Sequence, residues 1–329
     1  MRGVGERLGP SPPPDQASLS GPGRFLWVAS LLRDLPLRGI LIYVSNTFCF
    51  SLISFLVKEL SEEFRVGELL LVRFSCTFLG LVVLIQFRGG FYILKTRKTL
   101  DLAIRSGAGM IAIALSFVAF SGAILADATA LVFSAPLFTL LLSVPVLSER
   151  ITLSKSFAVL MGFLGVMLIT RPGFSEGSPA LYAALGSALF FAIVTVWLRR
   201  LNKTEHPLAI SFYYNFTGFL VFLLWSWSGG WSEAWRQNLE MLLLLGLLGI
   251  IQQVMLTYSF RYAEASLLAP FDYLSLPLAL LFGFWFWNEF PDWISLLGSA
   301  VIVLSGMMLM VGQWKGLFSA AKFDRNLKQ

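Results

Sequence analysis

Apolar runs recur along the chain from residue 37 to residue 312, separated by short links that hold most of the charged residues. A bilayer core about 30 Å thick is crossed by about 20 apolar helical residues, because backbone polar groups must be satisfied within the segment itself. Ten such spans are predicted: 37–57, 67–87, 105–125, 127–147, 155–171, 179–198, 208–228, 241–262, 265–287 and 292–312. The run at 155–171 is short for a span. The links are mostly tight, so the expected fold is one compact all-α membrane bundle. Ahead of it, residues 1–24 carry Pro10, Pro12, Pro13, Pro14 and Pro22 among Gly and Ser, a composition that cannot fold alone. Phe25 to Leu32 is too short to cross and is closed by Arg33, Asp34 and Pro36. Residues 1–36 are therefore expected to be a disordered tail followed by a short helix on the membrane surface, and 313–329 a second tail.

Composition sharpens the class. Of 329 residues, 57% are hydrophobic and 13% charged, with a mean hydropathy of +0.75. A soluble domain is nearer 45–50% apolar and 25% charged, so a soluble enzyme is excluded. Two cysteines, Cys49 and Cys76, and one histidine exclude a disulfide scaffold and a zinc site of ordinary Cys/His spacing. The net charge of +6 suggests nucleic acid until the basic residues are placed. With the N-terminus in the cytoplasm, 20 of the 25 Lys and Arg fall on the cytoplasmic side, counting Arg105 beside the 88–104 loop. Lys58, Arg65, Arg171 and Arg236 fall on the other side, and Arg73 lies inside a helix. That bias obeys the positive-inside rule with both termini cytoplasmic. It makes the basic balance a topology signal with no nucleic-acid partner, in a plasma membrane and most simply a bacterial inner membrane.

The two halves resemble each other. Ala126-Asp127-Ala128-Thr129 opens the fourth span and Ala263-Glu264-Ala265-Ser266 opens the ninth, each a small–acid–small–hydroxyl run. Ser148-Glu149 and Asn288-Glu289 close those spans, and Ala158 and Gly298 follow nine residues on. Five helices per half is an odd number, so the halves, 37–173 and 174–312, are expected to insert as inverted repeats. Inverted repeats are the architecture of alternating-access carriers, which hold their substrate near the midplane between repeats.

Asp127-Ala-Thr-Ala-Leu-Val-Phe-Ser-Ala-Pro136, Leu-Ser-Glu149-Arg150, Gly162-Phe-Leu-Gly165-Val and Ala269-Pro-Phe-Asp272-Tyr273 also make the chain resemble the EamA-type transporters of the drug/metabolite transporter superfamily. The resemblance covers residues 37 to 312. It implies ten transmembrane helices in two inverted five-helix repeats and movement of small organic solutes, amino-acid-like or vitamin-like. The proline-rich tail stands outside the family pattern.

An ionisable group inside a span costs about 2.5–3.5 kcal/mol on insertion scales, so each one invites a functional reading. Asp272 lies about seven residues into the ninth span, between Pro270 and Pro277, and its short side chain cannot reach the interface. Burial disfavours the charged form of a carboxylate, and Asp272 is the candidate for proton coupling; the plainer alternative is a packing role, bonded to Tyr273 or Ser275. Arg73 either snorkels to the interface or offers a planar fork to a carboxylate or phosphate. The same depth argument places it too far from Asp272 for a direct pair. Asn46, Tyr214, Asn215, Gln252, Gln253 and Tyr258 are expected near the midplane and, with Arg73, Asp272 and Tyr273, form the candidate substrate-binding set. Gln252 and Gln253 point about 100° apart, so one can face a cavity while the other bonds a neighbouring helix. The tryptophans near helix ends suit an interfacial belt, and Ala158-x3-Gly162 and Gly246-x2-Gly249 read as close-packing contacts.

These features favour a secondary transporter of a small polar organic metabolite. Its partners are then the solute, membrane lipid and a coupling proton or ion. No cofactor or metal motif is present, and the sequence leaves monomer and homodimer open. The competing classes are a channel or a non-transporting scaffold. An intramembrane enzyme ranks last, because the single histidine, His206, sits in a loop and no two acids share a span interior.

Overall fold

The computed structural model describes residues 35–88, 90–147, 153–170, 178–201, 204–229, 232–262 and 268–308. The expected tail and surface helix, residues 313–329, Glu149 and the Ala263 to Ser266 run lie outside them. The described residues are helical, with no strand among them. Eleven helices follow in order: α1 (Leu35–Leu60), α2 (Val66–Arg88), α3 (Thr99–Gly122), α4 (Leu125–Val132), α5 (Ala135–Leu147), α6 (Leu153–Thr170), α7 (Pro179–Leu201), α8 (Pro207–Gly229), α9 (Leu239–Tyr262), α10 (Ser275–Trp287) and α11 (Trp293–Met308).

Seven helical stretches are long and apolar enough to cross a membrane, among them Leu125–Leu142, which runs through α4 into α5. Three shorter apolar helices accompany them: Ser156–Thr170, Phe271–Trp287 and Trp293–Met308. This is a multi-pass all-α membrane protein. Its outward faces carry apolar side chains one helical turn apart, such as Leu79, Val83 and Phe87 on α2 and Leu220 and Leu224 on α8. A surface of that size and polarity needs lipid to cover it. Trp225, Trp227, Trp285 and Trp293 are exposed at helix ends.

Helix starts follow local chemistry. Proline occupies the first position of α7 and α8, where its missing N–H would have had no partner. His206 caps α8 by accepting the Leu208 N–H on Nδ1 at 3.2 Å. Glu68, in the first turn of α2, accepts the Arg65 N–H at 3.1 Å, which is half of a capping box.

Two of the predicted spans are broken. The one at 127–147 divides at Phe133 and Ser134, between α4 and α5. Pro136 has no N–H to return to residue 132, and the Ser134 hydroxyl turns back onto the Leu131 carbonyl at 2.6 Å. The one at 265–287 enters through a tight 3-10 segment, Ala269–Leu274, before α10 begins at Ser275. Pro270 stands in the first turn of that segment and Pro277 in the first turn of α10, and the Ser275 hydroxyl donates to the Asp272 carbonyl at 2.6 Å.

Packing puts α3 against α7, α9 against α1, and α2 against both α8 and α9. α8 also meets α3, α4 and α5 meet α7, and α10 lies on α1 and α4. The core between them is filled by fully buried rings, Phe74, Phe117, Phe120 and Phe222. α6 and α11 cross backbone to backbone: a Cβ on Gly165 would stand 2.7 Å from the Gly298 carbonyl oxygen, and one on Gly298 would stand 2.8 Å from that of Gly165. Gly162 faces Leu137 and Ser305, Gly246 faces Cys76, and Gly249 faces Thr77 and Arg73, so both glycine motifs serve close packing within the chain.

Candidate functional site

Polar side chains gather inside the bundle where the two broken spans and helices α1, α2, α3, α8 and α9 meet. Asp272, on the 3-10 segment, accepts a hydrogen bond from the Tyr43 hydroxyl of α1 at 2.8 Å. Leu268, Phe271, Ile40 and Leu256 pack around that pair. Neither Tyr273 nor Ser275 serves the carboxylate: Ser275 bonds the backbone, and Tyr273 is buried, with its ring against Gly306 of α11. Tyr273 is thus placed as a wedge between the 3-10 segment and α11.

Arg73 does not snorkel. Its Nη2 donates to the Gln252 Oε1 at 2.7 Å, its guanidinium lies over the Phe117 ring at 5.7 Å, and Nη1 is buried without a partner. Arg73 and Asp272 are not paired with each other: one bonds Gln252 and the other Tyr43. Gln253 turns the other way and donates to the Ser211 hydroxyl of α8 at 2.8 Å, so the adjacent glutamines divide as their angular offset requires. Asn215 donates to the Ser211 carbonyl at 2.8 Å within its own helix. Asn46 is buried on α1 with its Oδ1 unpartnered.

Two placements differ from expectation. Tyr258 is not at the midplane. It lies 19 residues along α9, about 28 Å from its start at 1.5 Å per residue, and its ring sits 5.1 Å from the guanidinium of Arg88 at the end of α2. Arg105 is not the first residue of its helix, as the span 105–125 had it. α3 begins at Thr99, six residues before the predicted span, which carries Arg105 about 9 Å into the bundle. It is 8% exposed, lies 4.2 Å from the Tyr214 ring, and holds Nε and Nη1 without a partner. Tyr214 stands within electrostatic reach of both Arg73 and Arg105. Gly109 makes room for it, because a Cβ there would come within 2.8 Å of the ring. Arg105 is thus a second buried guanidinium in the bundle beside Arg73. The signal in the sequence was helical apolar spacing on both sides of Arg105, masked by the neighbouring basic loop.

At the far end of α1, Lys58 pairs with Glu289, lies 5.0 Å from the Trp287 ring and donates to the Ala123 carbonyl at 3.0 Å. Asn288 holds a left-handed conformation (φ 53°) that ends α10, and the Glu289 N–H closes back on the Gly283 carbonyl at 2.9 Å. That turn aims Glu289 at Lys58. Glu68 adds a second tie, accepting the Ser232 N–H at 2.8 Å and the Trp235 indole N–H at 3.3 Å. The pairs Tyr43–Asp272, Arg73–Gln252, Arg105–Tyr214, Lys58–Glu289 and Glu68–Ser232 each join a residue before position 173 to one after it.

Comparison with known proteins places the chain in a family. The model of the EamA-like transporter family matches the chain twice, over residues 37–171 and 178–311. The pseudopaline exporter CntI of Pseudomonas aeruginosa is 30% identical over 281 residues, covering 85% of this chain and 98% of the exporter. Solute carrier family 35 member G1 of Mus musculus is 29% identical over 300 residues, 85% of this chain and 80% of the carrier. An S-adenosylmethionine uptake transporter of Rickettsia bellii is 26% identical over 190 residues, 58% of this chain and 65% of that protein. One solved structure superposes with a TM-score of 0.58 over 82% of this chain and 96% of its own, at 17% identity, which shows a shared fold. These relatives are transporters and not enzymes, and the chain belongs to the EamA-like transporter family within the drug/metabolite transporter superfamily.

Proposed function

We propose that the chain is a secondary transporter that moves a small polar organic metabolite, amino-acid-like or vitamin-like, across a bacterial inner membrane by alternating access between two inverted five-helix repeats. The observation that carries this reading is that five polar pairs of the bundle interior, Tyr43–Asp272, Arg73–Gln252, Arg105–Tyr214, Lys58–Glu289 and Glu68–Ser232, bridge the two halves. A motion of one half against the other must break or remake these pairs, and solute contacts can replace them. The helix neighbours support it as well. Exchanging α1 with α7, α2 with α8, α3 with α9, α4–α5 with α10 and α6 with α11 turns the α3–α7 contact into the α9–α1 contact and the α2–α9 contact into the α8–α3 contact. The α2–α8, α4–α10 and α6–α11 contacts map onto themselves. A two-fold exchange of that kind lets the bundle open first one face and then the other.

In this reading both termini and the 88–104 loop are cytoplasmic, and Lys58–Glu289 closes the outer end. Asn46, Arg73, Tyr214, Asn215, Gln252 and Gln253 line the solute path. Asp272, with Tyr43, carries the coupling proton beside the broken helix. Tyr258 and Tyr273 stay in the candidate set as residues that act at the inner end and through packing. Purified full-length protein in liposomes should show solute flux that saturates and that speeds up when the same solute is loaded on the opposite side. Flux that rises linearly with solute and shows no such exchange would make the protein a channel and overturn the proposal.

A further inference from the structure

We infer that the transported solute is an organic anion with at least two carboxylates, held by Arg73 and Arg105 across the Tyr214 ring; this deepens the transporter reading and rests on it. The Arg105 guanidinium of α3 lies 4.2 Å from the Tyr214 ring, and Phe74, next to Arg73 on α2, packs edge-on against the same ring at 5.2 Å. Three buried N–H-bearing nitrogens of the two arginines, Arg73 Nη1 and Arg105 Nε and Nη1, have no hydrogen-bond partner. Neither arginine takes part in the ion pairs Lys58–Glu289 and Arg200–Asp101. A buried charge without a counter-charge is costly, and the cost is recovered when an opposite charge arrives with good hydrogen-bond geometry. An arginine fork matches a planar carboxylate with two parallel N–H···O bonds.

The surroundings select the same chemistry. Gln252 already satisfies one edge of Arg73, which fixes the guanidinium plane and leaves Nη1 to turn to a ligand. The Tyr214 ring covers one face of Arg105, so the donors that remain are directed in the guanidinium plane. Two positive charges are matched by a dianion.

The test uses purified full-length protein in detergent and in liposomes, with succinate and citrate as probes, succinamide as the uncharged shape control, and inorganic phosphate as the competing oxyanion. Succinate or citrate should raise the unfolding temperature and protect the protein from the arginine reagent phenylglyoxal, whereas succinamide should do neither. Arg105→Gln should weaken that binding at least tenfold. Arg105→Lys, which keeps the charge but loses the planar fork, should fall between it and wild type. Without ligand, Arg105→Gln should unfold no earlier than wild type, because an unpaired buried charge has been removed; a structural arginine would lower that temperature. Equal protection by succinamide, unchanged binding in Arg105→Gln, or protection by phosphate alone would overturn the inference. Carboxylate binding without flux would instead overturn transport and leave the anion site standing, and saturable flux of uncharged solutes alone would do the reverse.

Discussion

Neutralising Glu289 should loosen the outer end of the bundle by a measurable and bounded amount. In the structure Lys58 is 10% exposed and Glu289 30% exposed in their side chains, so the pair is neither a wet surface bridge nor a dry one. Exposed ion pairs contribute about 0.2–1 kcal/mol, and hydrogen bonds to charged groups about 1.5–3 kcal/mol. Lys58 keeps the Ala123 carbonyl and the Trp287 ring when the acid is lost, which places the pair near the lower part of the second range, about 1–2 kcal/mol. A double-mutant cycle isolates that energy: Lys58→Met, Glu289→Gln and the double variant are unfolded thermally in detergent, and the coupling is the deviation from additivity. Because the pair ties the end of α1 to the end of α10, a coupling of 1.4 kcal/mol corresponds to a tenfold shift toward an outward-open bundle. Each single variant should therefore also bind solute more readily from outside in right-side-out vesicles. Additive effects on unfolding, with coupling below about 0.3 kcal/mol, would show that the pair holds nothing and that the outer closure lies elsewhere.

Asp272→Asn keeps the side-chain shape and can still accept the Tyr43 hydroxyl, but it cannot titrate; uptake driven by a pH gradient should be lost while solute exchange persists, and wild-type dependence on pH and membrane potential would return Asp272 to a packing role. Gly298→Ala drives a methyl into the Gly165 carbonyl and Ile169 at 2.8 Å each, so overpacking should cost about 1–3 kcal/mol and lower the unfolding temperature, whereas an unchanged temperature would mean that α6 and α11 can separate freely. Cysteines placed at Lys98 and Glu233, with Cys49 and Cys76 replaced by Ser, should react with membrane-impermeant maleimide from opposite faces; reaction of both from outside would sink the topology with cytoplasmic termini.

Much of this molecule is legible from its sequence because a bilayer imposes a simple rule. A helix that crosses hydrocarbon must be long and apolar, so helical spans can be found by length and composition alone, and the uneven Lys and Arg predict their orientation. Asp272 and Arg73 were equally visible, since an ionisable residue in such a run is costly wherever its side chain turns. The divided roles of Gln252 and Gln253 followed from helical angle. The helix breaks were only half visible: Pro136 and Pro270 mark them, but whether a proline kinks a helix or ends it depends on what neighbouring carbonyls find to bond.

Partnership was the part that needed the fold. Tyr43 meets Asp272, and Lys58 meets Glu289, across 229 and 231 residues of chain, a separation over which no periodicity carries information. Arg105 was misplaced for a related reason. Its position beside a basic loop matched the composition of a cytoplasmic link, and only the first turn of α3 and the space left by Gly109 decide that it turns inward onto Tyr214. The sequence by itself determined that Asp272 and Arg73 fall within long apolar runs, because hydrophobic length is a local property. The tertiary structure decided which polar groups face one another, because that depends on how helices distant in the chain pack their small and large residues together.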